Sequence, residues 1–307
     1  MSLKVVFMGS PDFALPTLQA LAQHYTMVGV VTQPDRPAGR GRALTPPPIK
    51  RLADELGLPT IQPQRLRQPE ALAQLEAWAP DLIIVAAFGQ ILRPAVLDLP
   101  QYGCVNVHAS LLPRGRGAAP IQAAILNGDP ETGVTIMRMD PGVDTGPMLS
   151  QRALPILPDD NAGTLSDKLA ALGAALLIET LPPYLSGQIA PQAQDEAQAT
   201  YAPMLNKADG LLDFNQPAQA LARRVRAFNP WPGAFTTWQD QPLKILRAHA
   251  VPDTCTVPGT ALVYQGLPAF CTAEGLLVLD ELQPAGKKPQ PGKAFLQGAR
   301  GWGQSAV

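Results

Sequence analysis

An amide and an imidazole stand two residues apart in the segment NVHASLLP, at Asn106 and His108. Side chains two residues apart on a β-strand point to the same side, so both groups would face one site. An amide donor beside a titratable ring can stabilise a developing oxyanion and move protons. The alternative is a core histidine that is capped by an asparagine, and the isolated N-x-H pattern leaves both interpretations open.

A candidate carboxylate follows downstream in the segment MDPGVDTG, which contains Asp140 and Asp144. A carboxylate next to His108 would orient its ring, and it could also serve as a general base. The same acidic segment with its two glycines could instead only form Asx turns. The pattern alone therefore does not establish a catalytic role for Asp144.

Over roughly the first 200 residues, short apolar runs alternate with segments of helical periodicity. This pattern is typical of βαβ units with a parallel sheet, and these elements must position the residues above. Ligands of such sheets bind beyond the carboxyl ends of the strands, where Asn106 and His108 would lie. We predict strands over 4–8, 27–32, 81–87, 104–108 and 134–139. We predict helices over 14–24, 48–56, 69–78, 118–126 and 164–185.

The last third of the chain has a different pattern. A polar segment rich in Gln and Ala predicts a surface linker over 187–207. A helix over 218–228 and short strands over 234–238, 243–249, 259–264, 269–272 and 276–282 follow. We therefore predict an α/β protein with a Rossmann-like, doubly wound, mostly parallel sheet in a domain over 1–186, and a small OB-like β-barrel domain over 208–307.

Composition excludes several classes of protein. The 307 residues are 46% hydrophobic and 16% charged, which suits an ordered globular chain, and no apolar run approaches the ~20 residues of a membrane-spanning helix. Cys104, Cys255 and Cys271 are scattered without CxxC spacing, so we expect neither a disulfide framework nor a bound metal. A cytoplasmic location follows as an expectation.

The charge distribution is compatible with binding to a polyanion. Residues 1–207 carry 15 Lys and Arg against 18 Asp and Glu, whereas residues 208–307 carry 9 against 7. Five cations stand between residues 34 and 51 with only one carboxylate. A local phosphate-binding patch is therefore compatible with the net charge of −1.

Nucleotide-cofactor binding after the first strand is excluded. The turn Gly9-Ser10-Pro11 lacks the three spaced glycines of the dinucleotide fingerprint, and no P-loop pattern occurs. An NAD-dependent oxidoreductase therefore does not fit.

The motifs NVH, SLLP, RGAAPIQ and MDPGVDTG, in this order, resemble the formyltransferase family that uses 10-formyltetrahydrofolate. The segments QPDRPAGRG, FNPWP and LQPAGKK resemble the branch of that family that acts on initiator methionyl-tRNA. Gly115, Pro141 and Pro147 stand where other family members commonly have different residues, which affects loop shape rather than chemistry.

The resemblance implies an enzyme that transfers a formyl group from 10-formyltetrahydrofolate to the α-amino group of the methionine on initiator methionyl-tRNA, for translation initiation. It implies that the catalytic residues are Asn106, His108 and Asp144. The implied folate-binding residues are Phe88, Gly89, Gln90, Ile91, Leu92, Ser110, Leu111, Leu112 and Pro113. The implied tRNA-binding residues are Arg36, Arg40, Arg42, Lys287 and Lys288. We expect a monomer without a metal ion.

Three alternatives remain at this stage. A relative with the same chemistry could formylate a glycinamide nucleotide or an amino sugar, although the second domain argues against glycinamide. A hydrolase that releases formate would use the same three groups with water, and would usually carry a regulatory N-terminal domain, which this sequence does not show. A non-catalytic RNA-binding module would leave Asn106, His108 and Asp144 without a purpose.

Overall fold

The protein is described by a computed structural model that covers residues 3–38 and 43–303. Two compact units are present. The first contains the residues up to Pro120 together with Glu131–Pro155 and Ser166–Pro203. The second contains Ile121–Pro130, Ile156–Leu165 and the residues from Met204 onwards. The predicted domain and linker bounds stay predictions.

A seven-stranded sheet forms the centre of the first unit, in the order β10-β9-β7-β6-β1-β2-β5. All neighbouring strands are parallel except at β9, which is antiparallel to both β7 and β10. The strands of this unit are β1 (Lys4–Gly9), β2 (Thr26–Val31), β3 (Arg36–Ala38), β4 (Ala43–Thr45), β5 (Thr60–Ile61), β6 (Leu82–Ala86), β7 (Cys104–His108), β8 (Arg116–Gly117), β9 (Glu131–Arg138), β10 (Met148–Pro155) and β11 (Tyr201–Ala202). Every residue of β6 and β7 is buried, as expected for strands inside a covered parallel sheet.

Five of the six α-helices described before residue 186 lie close to the predicted positions. The six are α1 (Leu15–His24), α2 (Pro48–Glu55), α3 (Pro69–Trp78), α4 (Pro94–Leu97), α5 (Pro120–Asn127) and α6 (Ala162–Leu185), of which α4 was not predicted. Four of them, α2 to α5, begin at a proline, whose fixed φ suits the first helical position and whose missing N–H costs nothing there. This placement accounts for part of the high proline content.

An antiparallel sheet dominates the second unit, in the order β12-β13-β16-β15-β14 with β17 beside β16. Its elements are α7 (Ala218–Ala227), β12 (Ala234–Trp238), β13 (Gln241–Val251), β14 (Ala261–Tyr264), β15 (Leu267–Cys271), β16 (Leu276–Pro284), β17 (Gln290–Pro291) and α8 (Gly292–Gly298). Leu221, Val225, Phe270 and Trp302 belong to its core. The predicted β-rich second domain is confirmed, whereas closure of its sheet into an OB-like barrel stays a prediction.

Several elements of the first unit were not predicted, namely α4, β3, β4, β5, β8 and β10. Of these, β10 is an edge strand whose exposure alternates along its length. The segment 187–207 is more than a connection, because β11 pairs in parallel with β8 and Glu196–Gln198 forms a 3-10 helix. Both β10 and this segment belong to the first unit and lie near the residues described next.

Candidate active site

Asn106 and His108 occupy the carboxyl end of β7, in the interior of the central sheet. Asn106 is paired with Val85 of β6 and Met137 of β9, and His108 with Thr135 of β9. Both side chains are buried. The predicted strand 104–108 is confirmed, and both groups lie at the strand end where ligands of parallel sheets bind.

One carboxylate oxygen lies beside both of these side chains. Oδ1 of Asp144 is 3.5 Å from Nδ2 of Asn106 and 3.7 Å from Nδ1 of His108. Both distances are too long for strong hydrogen bonds, so Oδ1 keeps the capacity to accept a proton or a hydrogen bond from a bound molecule. Oδ2, in contrast, accepts a hydrogen bond of 2.8 Å from the backbone N–H of Gly117.

The orientation of the His108 ring follows from its second nitrogen. Nε2 lies 2.9 Å from the carbonyl oxygen of Gly115. Because a carbonyl only accepts hydrogen bonds, Nε2 carries a hydrogen and donates it to Gly115. Nδ1 is therefore the nitrogen that faces Asp144 and the open side of the site.

The backbone of Asp144 has a conformation that is uncommon for residues with a Cβ atom. Its φ is +54°, in the left-handed region. Gln194 donates from Nε2 to the carbonyl oxygens of Asp144 at 2.8 Å and of Gly146 at 2.7 Å. The loop that carries the carboxylate is thus fixed by a residue fifty positions downstream.

A cleft opens beside Asp144, lined by Gln90, Ile91, Leu92, Met137, Met139, Asp140, Gly142, Val143 and Asp144. Its lining is mostly apolar. Ile91 and Val143 are 73% and 50% exposed, so both offer aliphatic surface to a molecule bound in the cleft. Three of the predicted folate-binding residues, Gln90, Ile91 and Leu92, are therefore adjacent to the predicted catalytic carboxylate.

Phe88 and Gly89 lie just before this wall of the cleft. Phe88 is buried, and its carbonyl oxygen accepts a hydrogen bond of 3.0 Å from Nε2 of Gln33. Gly89 has a φ of +76°, a conformation that glycine adopts readily. Oε1 of Gln90 accepts from the backbone N–H of Leu66 at 2.7 Å, so its amide is engaged with the neighbouring loop.

The other predicted folate-binding segment, residues 110–113, makes internal contacts. Ser110 donates from Oγ to the carbonyl oxygen of Arg114 at 2.7 Å. The hydroxyl of Thr135 donates to the carbonyl oxygen of Ser110 at 2.6 Å and accepts from the N–H of Leu112 at 3.1 Å. Leu111, Leu112 and Pro113 do not belong to the lining of the cleft, and the role of this segment in folate binding stays a prediction.

The predicted tRNA-binding residues are found in two places, and two of them, Arg40 and Arg42, lie outside the described residues. Arg36 begins β3, is exposed, and donates from Nη2 to Oε1 of Gln33 at 3.2 Å. Lys287 and Lys288 are exposed in the turn that follows β16.

Sequence reasoning missed an ion pair that supports the site. Arg116 is fully buried and makes a bidentate contact with the exposed carboxylate of Glu196, at 2.9 and 2.8 Å. The hydrogen bond with Glu196 raises the pKa of Arg116, and the same bond lowers the pKa of Glu196. Only the RGAA motif and one glutamate in a Gln- and Ala-rich segment could have pointed to this pair.

Among residues 3–38 and 43–303, no group of three or more His, Cys, Asp or Glu side chains is arranged to hold a metal ion. Within the same ranges, every helix is too short or too polar to cross a membrane.

Comparison with known families matches nearly the whole chain. Residues 3–181 match the formyl transferase model, and residues 204–300 match the model of the formyl transferase C-terminal domain. A methionyl-tRNA formyltransferase of Hydrogenovibrio crunogenus is 51% identical over 99% of this chain and 98% of its own length. The methionyl-tRNA formyltransferase of Roseiflexus sp. is 49% identical over 98% of this chain and 94% of its own length.

Solved structures share the fold at much lower sequence identity. The sugar 3N-formyl transferase WlaRD, solved with dTDP and 5-N-formyl-THF, has a TM-score of 0.68 and 17% identity, over 94% of this chain and all of its own. HypX from Aquifex aeolicus, in complex with tetrahydrofolic acid, has a TM-score of 0.64 and 16% identity, over 97% of this chain and 47% of its own.

Proposed function

The chain belongs to the formyl transferase family, and we propose that it transfers a formyl group from 10-formyltetrahydrofolate to the α-amino group of methionine on initiator methionyl-tRNA. The observation that carries this proposal is the meeting of an amide, an imidazole and a carboxylate at Oδ1 of Asp144, beside an apolar cleft. Relatives at about half identity over nearly their full length carry the name of this activity.

The cleft suits a folate. A pterin is flat and largely apolar on its faces, and binds well between aliphatic side chains whose neighbouring backbone supplies donors and acceptors. Ile91 and Val143 provide such faces and would become buried on binding. When bound there, 10-formyltetrahydrofolate supplies the formyl group on its N10 atom.

Asn106 and His108 act on the formyl oxygen. When the amine attacks the formyl carbon, that oxygen gains negative charge, which hydrogen-bond donors at fixed positions stabilise. Among the described residues, the contact of Nδ2 of Asn106 is a long one of 3.5 Å to Asp144, so its hydrogens can turn to the substrate. The ring of His108 donates from Nε2 to Gly115, so it donates to the formyl oxygen from Nδ1 in its imidazolium form, in which both nitrogens carry a hydrogen.

Asp144 takes the proton that the attacking amine loses. Oδ1 is the oxygen without a strong hydrogen bond, whereas Oδ2 is held by Gly117. As the bond from the formyl carbon to N10 breaks, N10 gains a proton, so the reaction moves one proton from the amine to N10 in total. Nδ1 of His108 gives its proton to N10, and Oδ1 of Asp144, 3.7 Å away, is placed to return the proton of the amine to Nδ1.

Exposed cations bind the tRNA. Arg36 in the first unit, Lys287 and Lys288 in the second, and Arg40 and Arg42 outside the described residues would contact phosphates, which supply most of the affinity for a nucleic acid. We further propose that the protein acts as a monomer in the cytoplasm.

The test is a formylation assay with 10-formyltetrahydrofolate and methionyl initiator tRNA. We expect formyl-methionine on the tRNA, and a much lower rate with uncharged tRNA plus free methionine. Glycinamide ribonucleotide and a dTDP-amino sugar are offered as competing acceptors in parallel reactions. Preferential formylation of either competitor, or release of formate without any acceptor, would contradict the proposal.

A further inference from the structure

We infer that Gln194 is a positioning residue for the reaction, and that Gln194 and Thr200 together hold the backbone contacts of Asp144 and His108. This inference rests on the proposed function, since it assigns Gln194 a role through Asp144. The sequence suggested only a linker here, but this segment forms hydrogen bonds with the loop that carries Asp144 and with the loop whose Gly115 accepts from His108.

The amide of Gln194 fixes the backbone of the Asp144 loop. Its Nε2 uses both hydrogens, one on the carbonyl oxygen of Asp144 at 2.8 Å and one on that of Gly146 at 2.7 Å. Asp144 has a φ of +54°, which is unfavourable for a residue with a Cβ atom. A conformation of this kind persists where surrounding contacts impose it, and Gln194 supplies two of them.

The direction of that amide is set by Arg116. Nε of Arg116 donates to Oε1 of Gln194 at 3.0 Å. A guanidinium can only donate, so the atom facing it must be the amide oxygen, and Nε2 must then face the Asp144 loop. Arg116 is itself held by both oxygens of Glu196, so the three side chains form one chain of hydrogen bonds.

The other end of the segment holds the loop that His108 touches. The N–H of Gly115 donates to Oγ1 of Thr200 at 2.9 Å, and the N–H of Arg116 donates to the carbonyl oxygen of Thr200 at 2.9 Å. The carbonyl oxygen of Gly115 is the acceptor for Nε2 of His108. One segment therefore fixes both partners of the His108–Asp144 pair.

The first experiment compares two substitutions of Gln194 in the full-length enzyme. Gln194→Glu still accepts from Arg116 but has no hydrogens for the two carbonyl groups, and Gln194→Ala removes the side chain. We expect the rate of formyl transfer at saturating substrates to fall about 10²-fold in Gln194→Glu, because a displacement of about 1 Å at the reacting groups has an effect of that size. The KM for methionyl-tRNA should stay unchanged.

The matched control is Gln198→Ala. This glutamine lies in the same segment, and its exposed side chain bonds, among the described residues, to the side chain of Asp195 alone. We expect its rate to equal that of the wild type. Thermal unfolding of all variants is measured in parallel, and Gln194→Ala provides a second reading if the glutamate variant is unstable. A wild-type rate in either folded variant overturns the inference.

A double substitution separates positioning from general destabilisation. If Gln194 acts through Asp144, adding Gln194→Ala to Asp144→Asn should lower the remaining rate less than two-fold, since residues that act as a unit are not additive. A further loss equal to that of Gln194→Ala alone would overturn the inference. The wild-type assay decides the proposed function separately, because failure there appears before any variant is made.

Discussion

The proposed catalytic centre and the lysine pair Lys287–Lys288 hold their polar groups in opposite ways. Asn106 and His108 are buried, Asp144 is half-buried, and backbone groups of Gly115 and Gly117 bond to His108 and Asp144. Lys287 and Lys288 are exposed in a turn, where the backbone N–H and carbonyl oxygen of Lys287 are hydrogen-bonded. Stabilising charge on one oxygen requires donors at fixed distances, whereas phosphate recognition needs charge and tolerates movement. Substitutions around Asp144 should therefore change the rate of formyl transfer in the bound complex. Substitutions of Lys287 and Lys288 should change the salt-dependent affinity for tRNA.

The largest effect is expected from His108→Ala. Loss of one donor to a developing oxyanion typically lowers a rate by about 10²–10³-fold, and His108 also participates in proton transfer. Single-turnover formylation at saturating enzyme should show this loss, while filter binding of methionyl-tRNA stays as in the wild type. His249→Ala is the control, because His249 is exposed on β13 and pairs with Asp280 in the second unit. Comparable turnover in His108→Ala would refute the assignment.

A smaller effect is expected from Ile91→Ala and Val143→Ala. Burial of each CH₂ group contributes ~0.8 kcal/mol, so Val143→Ala, which removes two carbons, should raise the KM for 10-formyltetrahydrofolate roughly 15-fold, and Ile91→Ala, which removes three, roughly 60-fold, without changing kcat. Steady-state kinetics with the folate varied and tRNA saturating measure this. Val263→Ala is a matched control, since Val263 is 51% exposed and Val143 is 50% exposed. Equal KM values in all three variants would exclude this cleft as the folate site.

A still smaller effect is expected from Lys287→Ala and Lys288→Ala. The logarithm of the tRNA binding constant should fall less steeply with the logarithm of salt concentration, by about one unit of slope for each phosphate that the variant no longer neutralises. The single-turnover rate of the saturated complex should not change. Lys4→Ala, an exposed lysine of β1, is the control. Salt slopes that match the wild type would show that the turn after β16 does not face RNA.

The smallest effect concerns Glu196→Gln and pH. The hydrogen bond from Arg116 lowers the pKa of Glu196 below its ordinary value of 4.5. The stabilisation is therefore present above pH 4.5 and is lost as pH falls through the lower folded pKa. The melting temperature of the wild type should exceed that of Glu196→Gln near neutral pH, and this difference should shrink as the pH falls. A difference in melting temperature that does not depend on pH would mean that the ion pair between Arg116 and Glu196 does not contribute to the stability of the fold.

The sequence was informative where local patterns determine structure. The strand 104–108 and the helix 69–78 agree with β7 and α3 at both ends, because apolar runs and proline starts mark them clearly. Asn106 and His108 could be identified because a period of two on a strand places both on one side. Their meeting with Asp144 could be expected from the family resemblance, but not from spacing.

The remaining part of the site depends on contacts between distant residues. Gln194 lies in a segment whose composition resembles a linker, and its importance comes from two carbonyl groups about fifty residues earlier in the chain. Thr135 is one of several buried threonines, and only the fold reveals its bonds to Ser110 and Leu112. Hydrogen bonds of this kind leave no periodic signal in a single sequence.

The division between a buried catalytic centre and exposed cations is tested most directly by the salt dependence of the wild-type enzyme. Single-turnover formylation is measured at a series of salt concentrations, with the enzyme at a saturating excess over methionyl-tRNA. The affinity for tRNA is measured at the same salt concentrations. We expect the affinity to fall steeply with salt while the rate of the saturated complex stays constant. A saturated rate that falls with the same slope as the affinity would contradict this division.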